Sequence, residues 1–163
     1  MRPHDRITKR IWLGGSLTFD AWRCLWQAGV TVDLSLQEEA RDDFGPLAPE
    51  AELWLPATDN DMPSHDQTWL ACAFIHSALL LGRHLVIHCR WGIGRSPLTL
   101  AAYLTTQGWD AGEAMRSITE RRPIVEPNGG QRDQLLAFVR RWRAGELPPL
   151  PGPPLPPGSL DPP

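Results

Sequence analysis

The sequence predicts an α/β fold: a central, mostly parallel sheet of four to five strands with helices on both faces. Three observations carry this. Short strand-like stretches alternate with amphipathic helical ones along the chain, the pattern of a parallel sheet covered on both faces. One stretch, Leu85-Val86-Ile87, is continuously apolar, as a strand buried on both faces should be. The 163 residues are enough for one domain with a substantial core, and too few for two.

In chain order, Ile7 to Leu13 alternates apolar and polar residues, with Ile7, Ile11 and Leu13 on one face, and stops at Gly14-Gly15. It reads as a half-buried strand. A helix is expected from about Thr18, with Phe19, Trp22, Leu25 and Trp26 on one stripe and Gly29 as its stop. Val30 to Leu36 is the second strand. Gln37 to Pro49 is polar and turn-rich, hence an exposed loop. Leu53-Trp54-Leu55 is a short strand closed by Pro56, and Ala57 to His65 is an acid-rich, mobile loop. Ser64 can cap a helix over about Asp66 to Leu81, with Trp69, Phe74, Ile75, Leu79 and Leu80 buried. A strand ending at His88, a tight loop and a helix to about Gln107 follow. Asp110 to Glu113 has capping-box spacing and opens a helix to about Arg121, and Gln131 to Trp142 is the last helix. Residues 1–143 thus form the domain. After Arg143 the composition changes: nine of the 17 prolines lie between Pro148 and Pro163, so residues 144–163 read as a Pro-rich, disordered tail. No internal repeat is apparent.

Composition excludes several classes. A net charge of −3 does not suggest a nucleic-acid surface. No apolar run reaches the roughly 18 residues needed to span a bilayer, and no signal-like apolar region follows the start. Cys24, Cys72 and Cys89 are odd in number and far apart, so they do not make a disulfide framework. A reduced, cytoplasmic monomer without nucleic-acid or membrane partners is expected. Most of the eight tryptophans should fill the core.

Chemistry concentrates between Leu85 and Pro97. A loop that opens a helix gathers unpaired backbone N–H groups and the positive end of the helix dipole, which makes it an anion site. Cys89 starts this loop and Arg95 ends it. A thiolate is the reactive form of cysteine, and a helix N-terminus and an arginine both favour it. The residues Arg90, Trp91, Gly92, Ile93 and Gly94 between them can turn successive N–H groups onto phosphate oxygens. Gly92 and Gly94 allow positive φ and close approach to a ligand. Arg95 can fork two phosphate oxygens, and Ser96 sets a hydroxyl beside the sulfur. Pro97 is expected at the first helical position.

His88-Cys89-Arg90-Trp91-Gly92-Ile93-Gly94-Arg95-Ser96 resembles the signature loop of the cysteine-based protein tyrosine phosphatases, His-Cys-x-x-Gly-x-x-Arg-Ser/Thr. Its Gly-Ile-Gly-Arg-Ser ending resembles the dual-specificity branch, notably the kinase-associated and cell-cycle members. The resemblance runs from about Ile7 to Trp142 and includes Ile11-Trp12-Leu13-Gly14-Gly15, Val32-Asp33-Leu34-Ser35-Leu36 and Arg122-Pro123-Ile124-Val125-Glu126-Pro127-Asn128. It implies a protein tyrosine phosphatase-like fold with Cys89 as nucleophile, Arg95 as phosphate ligand and Ser96 assisting breakdown of the intermediate. It further implies His88 as support for the thiolate. Trp91 departs from the small residue usual there; it either walls the pocket or packs behind the loop.

Leaving-group expulsion needs a proton donor; the resemblance implies an aspartate on a mobile loop upstream of the cysteine, where this chain offers Asp59 and Asp61. Asp59-Asn60-Asp61-Met62-Pro63 resembles the Asp-x-x-x-Pro arrangement of kinase-associated members, which selects Asp59. Gln131 matches the family's water-positioning glutamine, with Gln134 as a neighbour. The implied substrate is a phosphorylated protein, with phosphotyrosine first and phosphoserine or phosphothreonine beside it. The alternatives are a phosphoinositide or small-molecule phosphatase, a non-catalytic phosphate-binding module, and a sulfur-transfer or arsenate-reducing enzyme. No cofactor and no metal is called for; His84 and His88 lack a further ligand cluster in sequence.

Overall fold

In the computed structural model residues 3–163 are described; Met1 and Arg2, at the head of the expected domain, lie outside them. The elements are β1 (His4–Arg6), β2 (Ile11–Gly14), α1 (Phe19–Gln27), β3 (Val30–Gln37), β4 (Ala51–Ala57), α2 (His65–Leu80), β5 (His84–His88), α3 (Arg95–Thr106), α4 (Ala111–Arg121) and α5 (Gly129–Arg143). The five strands form one sheet in the order β1-β2-β5-β3-β4, parallel except for the antiparallel β1. This is the expected α/β architecture.

Pleating sorts the sheet's side chains between two cores. Ile11, Leu13, Val32, Leu34, Leu85 and Ile87 join α2, α3, α4 and α5 in the larger one. Trp12, Val30 and Val86 face Trp22 and Leu25 of α1 on the other side. The helices begin where their caps are: Thr18 on α1, Ser64 with Gln67 on α2, Asp110 on α4, and Asn128 with Gln131 on α5.

The structure corrects several expectations. The run Ile7 to Leu13 is not one strand. It is a turn followed by β2, because Thr8 Oγ1 accepts from the Arg10 and Ile11 amides and Ile7 N–H folds back onto Ile11 O. Gln37 to Pro49 is exposed along much of its length but tethered: Trp22 Nε1 donates to Leu47 O and Phe44 packs edge-on against the Trp22 ring. Only Trp12 and Trp22 are buried tryptophans. Trp54 and Trp69 instead sit at rims, each indole donating to a backbone carbonyl. Pro97 stands third in α3, still within the first turn, where its missing N–H costs no helical bond.

The tail departs most. Residues 144–163 form no helix or strand, yet Leu147, Leu150, Leu155 and Leu160 pack against the larger core. Trp69 donates to Pro148 O, a His76 ring nitrogen lies 2.9 Å from Pro153 O, and Lys9 pairs with Asp161. Composition alone predicts disorder, because prolines hide the leucines that anchor the segment.

Candidate active site

The carboxyl ends of β3, β4 and β5 point to one edge of the sheet, and the loops that leave them meet there. A cavity of about 240 Å³ opens between them, lined by Asp59, Asn60, Cys89, Trp91, Ile93, Gly94, Glu126, Asn128 and Gln131. Crevices at strand carboxyl ends are where open α/β sheets place their ligands.

Cys89 is only 2% exposed, at the floor. The Gly92 amide donates to its Sγ at 3.3 Å, and Ser96 Oγ lies 3.4 Å from the sulfur. The same hydroxyl lies 3.4 Å from Gly14 O, so its one proton can serve either. Gly92 has φ +66, and a Cβ there would stand 2.4 Å from the Gly14 carbonyl carbon; no other residue type fits. Gly94 differs from expectation. Its φ is −123, and a Cβ there would stand 2.6 Å from the Gln131 amide, so a larger residue would push that amide aside.

Arg95 is 1% exposed and already engaged. Glu39, on the loop after β3, takes its end-on fork at 2.9 and 3.1 Å, and Ala57 O accepts a further Nη1 proton at 2.9 Å. The Arg95 bond holds the Glu39 carboxyl below its ordinary range. Asp59 Oδ1 lies 3.3 Å from Arg95 Nη2, and Nε is buried without a partner. Three of the five N–H donors are therefore committed, leaving Nε and the second Nη2 proton, which Asp59 adjoins.

His88 is buried beneath the loop. Its Nε2 donates to Asp42 Oδ2 at 2.9 Å, and Asp33 Oδ1 is an ion-pair neighbour at 3.2 Å. Burial works against its charge, but the two carboxylates overcome that and lift its pKa to about 10. Asp33, pushed the other way by its own burial, rises to about 6. The donor atoms of Asp33, Asp42 and His88 lie within 4.8 Å of one another, the sole such cluster among the described residues. The imidazolium proton already supplies the cation those acids need. His84, at the other end of β5, takes no part.

Asp59 lines the cavity, 44% exposed in its side chain, whereas Asp61 does not line it. Three side chains on or beside α5 hold this loop by its backbone: Asn128 donates to Asn60 O, Gln131 donates to Asp61 O, and Gln134 accepts from Met62 N–H. Gln131 thus reaches the cavity while Gln134 fastens the loop. Trp91 is 57% exposed on the cavity wall, with the Arg90 guanidinium 5.0 Å over its ring.

A family model described as the catalytic domain of dual specificity phosphatases matches residues 11–141. The chain belongs to that family. Mouse protein phosphatase Slingshot homolog 3 is 41% identical over 66 residues, 40% of this chain and 10% of the relative. Rat dual specificity protein phosphatase 5 is 30% identical over 132 residues, 78% of this chain and 33% of that protein. The chain spans between 10% and 39% of the length of the curated relatives it matches. Among solved structures, human DUSP28 superposes with a TM-score of 0.77 at 25% identity, covering 86% of this chain and 99% of that one. PTPMT1 in complex with PI(5)P shares the fold, with a TM-score of 0.77 at 22% identity, over 90% of this chain and 100% of that one.

Within this dual specificity phosphatase domain, the sequence reading missed Glu39 and Arg122. Arg122, 1% exposed, donates to Gly92 O at 2.9 Å and Trp91 O at 3.2 Å and pairs with Asp5 at 2.7 Å, so it props the loop from behind. Glu39 could have been found: an acid just after the strand paired with β5 must fall at the same edge as Cys89. Arg122 carried no such signal.

Proposed function

We propose that the chain hydrolyses phosphomonoesters on proteins, phosphotyrosine first, through a cysteinyl-phosphate. The observation that supports it is that Cys89 and Asp59, from separate strand ends, line one cavity, with Ser96 Oγ 3.4 Å from the sulfur and Arg95 Nη2 3.3 Å from Asp59. Cys89 Sγ attacks phosphorus as the bond to the leaving oxygen breaks, and Asp59 gives that oxygen its proton. A water then attacks phosphorus while Asp59 takes its proton, and the sulfur leaves as a thiolate that the Ser96 hydroxyl can face. Arg95 Nε and Nη2 hold two phosphate oxygens through both steps while Glu39 fixes the guanidinium from its far edge. Gln131 orients the water. Trp91 offers a face to an aryl leaving group, and Asp59 and Glu126 at the cavity disfavour a multiply charged headgroup.

Turnover of p-nitrophenyl phosphate, lost in Cys89→Ser, is the test; a native chain without turnover overturns the enzymatic reading. Phosphotyrosine peptide, phosphothreonine peptide and phosphoinositide compared side by side rank the substrates.

A further inference from the structure

The tail carries a short repeat. Pro148-Pro149-Leu150-Pro151-Gly152 is followed at once by Pro153-Pro154-Leu155-Pro156-Pro157-Gly158. The two copies are held in the same way by one face of α2. Trp69 Nε1 donates to the carbonyl of Pro148, the first proline of the first copy, at 2.7 Å. His76 Nε2 meets the carbonyl of Pro153, the first proline of the second copy, at 2.9 Å; its other nitrogen lies 3.1 Å from the Tyr103 hydroxyl. Trp69 and His76 are seven residues apart, two helical turns, so they share a face about 10.5 Å long. Five residues of extended polyproline would span about 15 Å. Gly152 takes up the difference: its φ is +90, and a Cβ there would stand 2.7 Å from Leu80 Cδ1.

Each copy also sets one leucine, Leu150 and Leu155, half-buried against the core, while the proline rings face outward. The division of labour is that of polyproline recognition. Prolines preset an extended backbone and leave its carbonyls without internal partners; ring N–H donors read the carbonyls and apolar pockets read the intervening side chain. The family model ends at residue 141, so the repeat lies beyond the shared domain while its seat on α2 lies within it.

We propose that this face of α2 is a reading surface for Pro-Pro-Leu-Pro segments, occupied in the isolated chain by its own tail, and that it takes the same motif from a partner protein in exchange. Tethering favours the tail, because a short linker supplies an effective concentration of order millimolar. A partner therefore engages fully only when the tail is weakened or cut.

The test uses the full chain with a protease site placed at Gly145-Glu146, and a fluorescent peptide of residues 147–163 as the probe. After cleavage the labelled peptide should exchange for the released tail and bind saturably. The uncut chain should bind it at least tenfold more weakly. Leu150→Ala/Leu155→Ala in the uncut chain should raise peptide affinity by a similar factor, and Trp69→Phe or His76→Phe should abolish binding to the cut chain with its circular dichroism unchanged. Loss of the fold on tail release, or peptide binding indifferent to Trp69 and His76, overturns the proposal. So does a concentration-dependent dimer of the native chain abolished by the leucine changes, which would show the face taking a second copy's tail instead.

Discussion

Two loops meet over the cavity, one leaving β5 with the nucleophile and one leaving β4 with the acid. The β5 loop is buried and fixed from every side: Arg122 props two of its carbonyls, Gly14 presses on Gly92, and His88 locks its base to Asp42. The β4 loop is exposed at Asp59, and what holds it is three side-chain contacts from α5 and the residue that caps it. The nucleophile must be positioned and desolvated before substrate arrives, so rigidity serves it. The acid must admit a substrate and then reach its leaving oxygen, so a loop that can be unfastened serves it.

The largest effect should come from removing the acid itself. Asp59→Asn is expected to lower kcat about 10²–10⁴-fold on a phosphotyrosine peptide, or roughly 3–5 kcal/mol of barrier. Asp61→Asn should change it less than about threefold, because Asp61 does not line the cavity. Steady-state kinetics decide, and equal losses in both would move the proton donor to another group.

Rigidity itself can be compared through two residues with positive φ. Gly92→Ala should destabilise the domain by about 2–4 kcal/mol, the sum of backbone strain and overlap with the Gly14 carbonyl. Asn60, φ +67 on the acid loop, is a non-glycine in the same conformation, so Asn60→Gly should leave the melting temperature within a few degrees. Thermal melts of both separate a loop that is clamped from one that is merely bent.

The nucleophile side should also answer to alkaline pH. The folded pKa of His88, about 10, lies above its ordinary 6.5. The contribution of its imidazolium is therefore complete below about pH 6.5 and drains away as pH climbs toward 10. Asp33, raised to about 6, makes its own loss at lower pH as it ionises, outside that window. Denaturant midpoints measured from pH 7 to 10 should fall in the native chain and stay flatter in His88→Asn.

This contrast also explains what could be read from sequence. The β5 loop is one contiguous run between a strand and a helix, so Cys89, Arg95 and Ser96 announce themselves locally. The family resemblance narrows the acid to Asp59 and Asp61, but the loop's fastening depends on Asn60 meeting Asn128 and Met62 meeting Gln134, 68 and 72 residues apart in the chain. Local pattern does not encode such meetings. Arg122 escaped for the same reason, whereas Glu39 had a readable signal in its place just after β3, and the tail escaped because the prolines that dominate its composition are not the residues that touch the core. The first strand was lengthened by an alternation that Thr8 interrupts with side-chain acceptance no periodicity reveals.

The smallest expected effect is the most telling about the acid loop. Gln134 lies outside the cavity and fastens the loop through a single bond from Met62 N–H at 2.8 Å. Replacing it with alanine removes one acceptor whose loss water can partly make good at this half-buried site, so stability should fall by no more than about 1 kcal/mol. The loop would still be held by Asn128 and Gln131, but Asp59 would spend less time over the leaving oxygen. A twofold to tenfold fall in kcat is expected for a phosphotyrosine peptide, corresponding to about 0.4–1.4 kcal/mol. The fall should shrink for p-nitrophenyl phosphate, whose leaving group needs less protonation, and it should vanish in the Asp59→Asn background. A loss that persists without Asp59 would mean that Gln134 acts on the β5 loop instead, and the two loops would then be one mechanical unit.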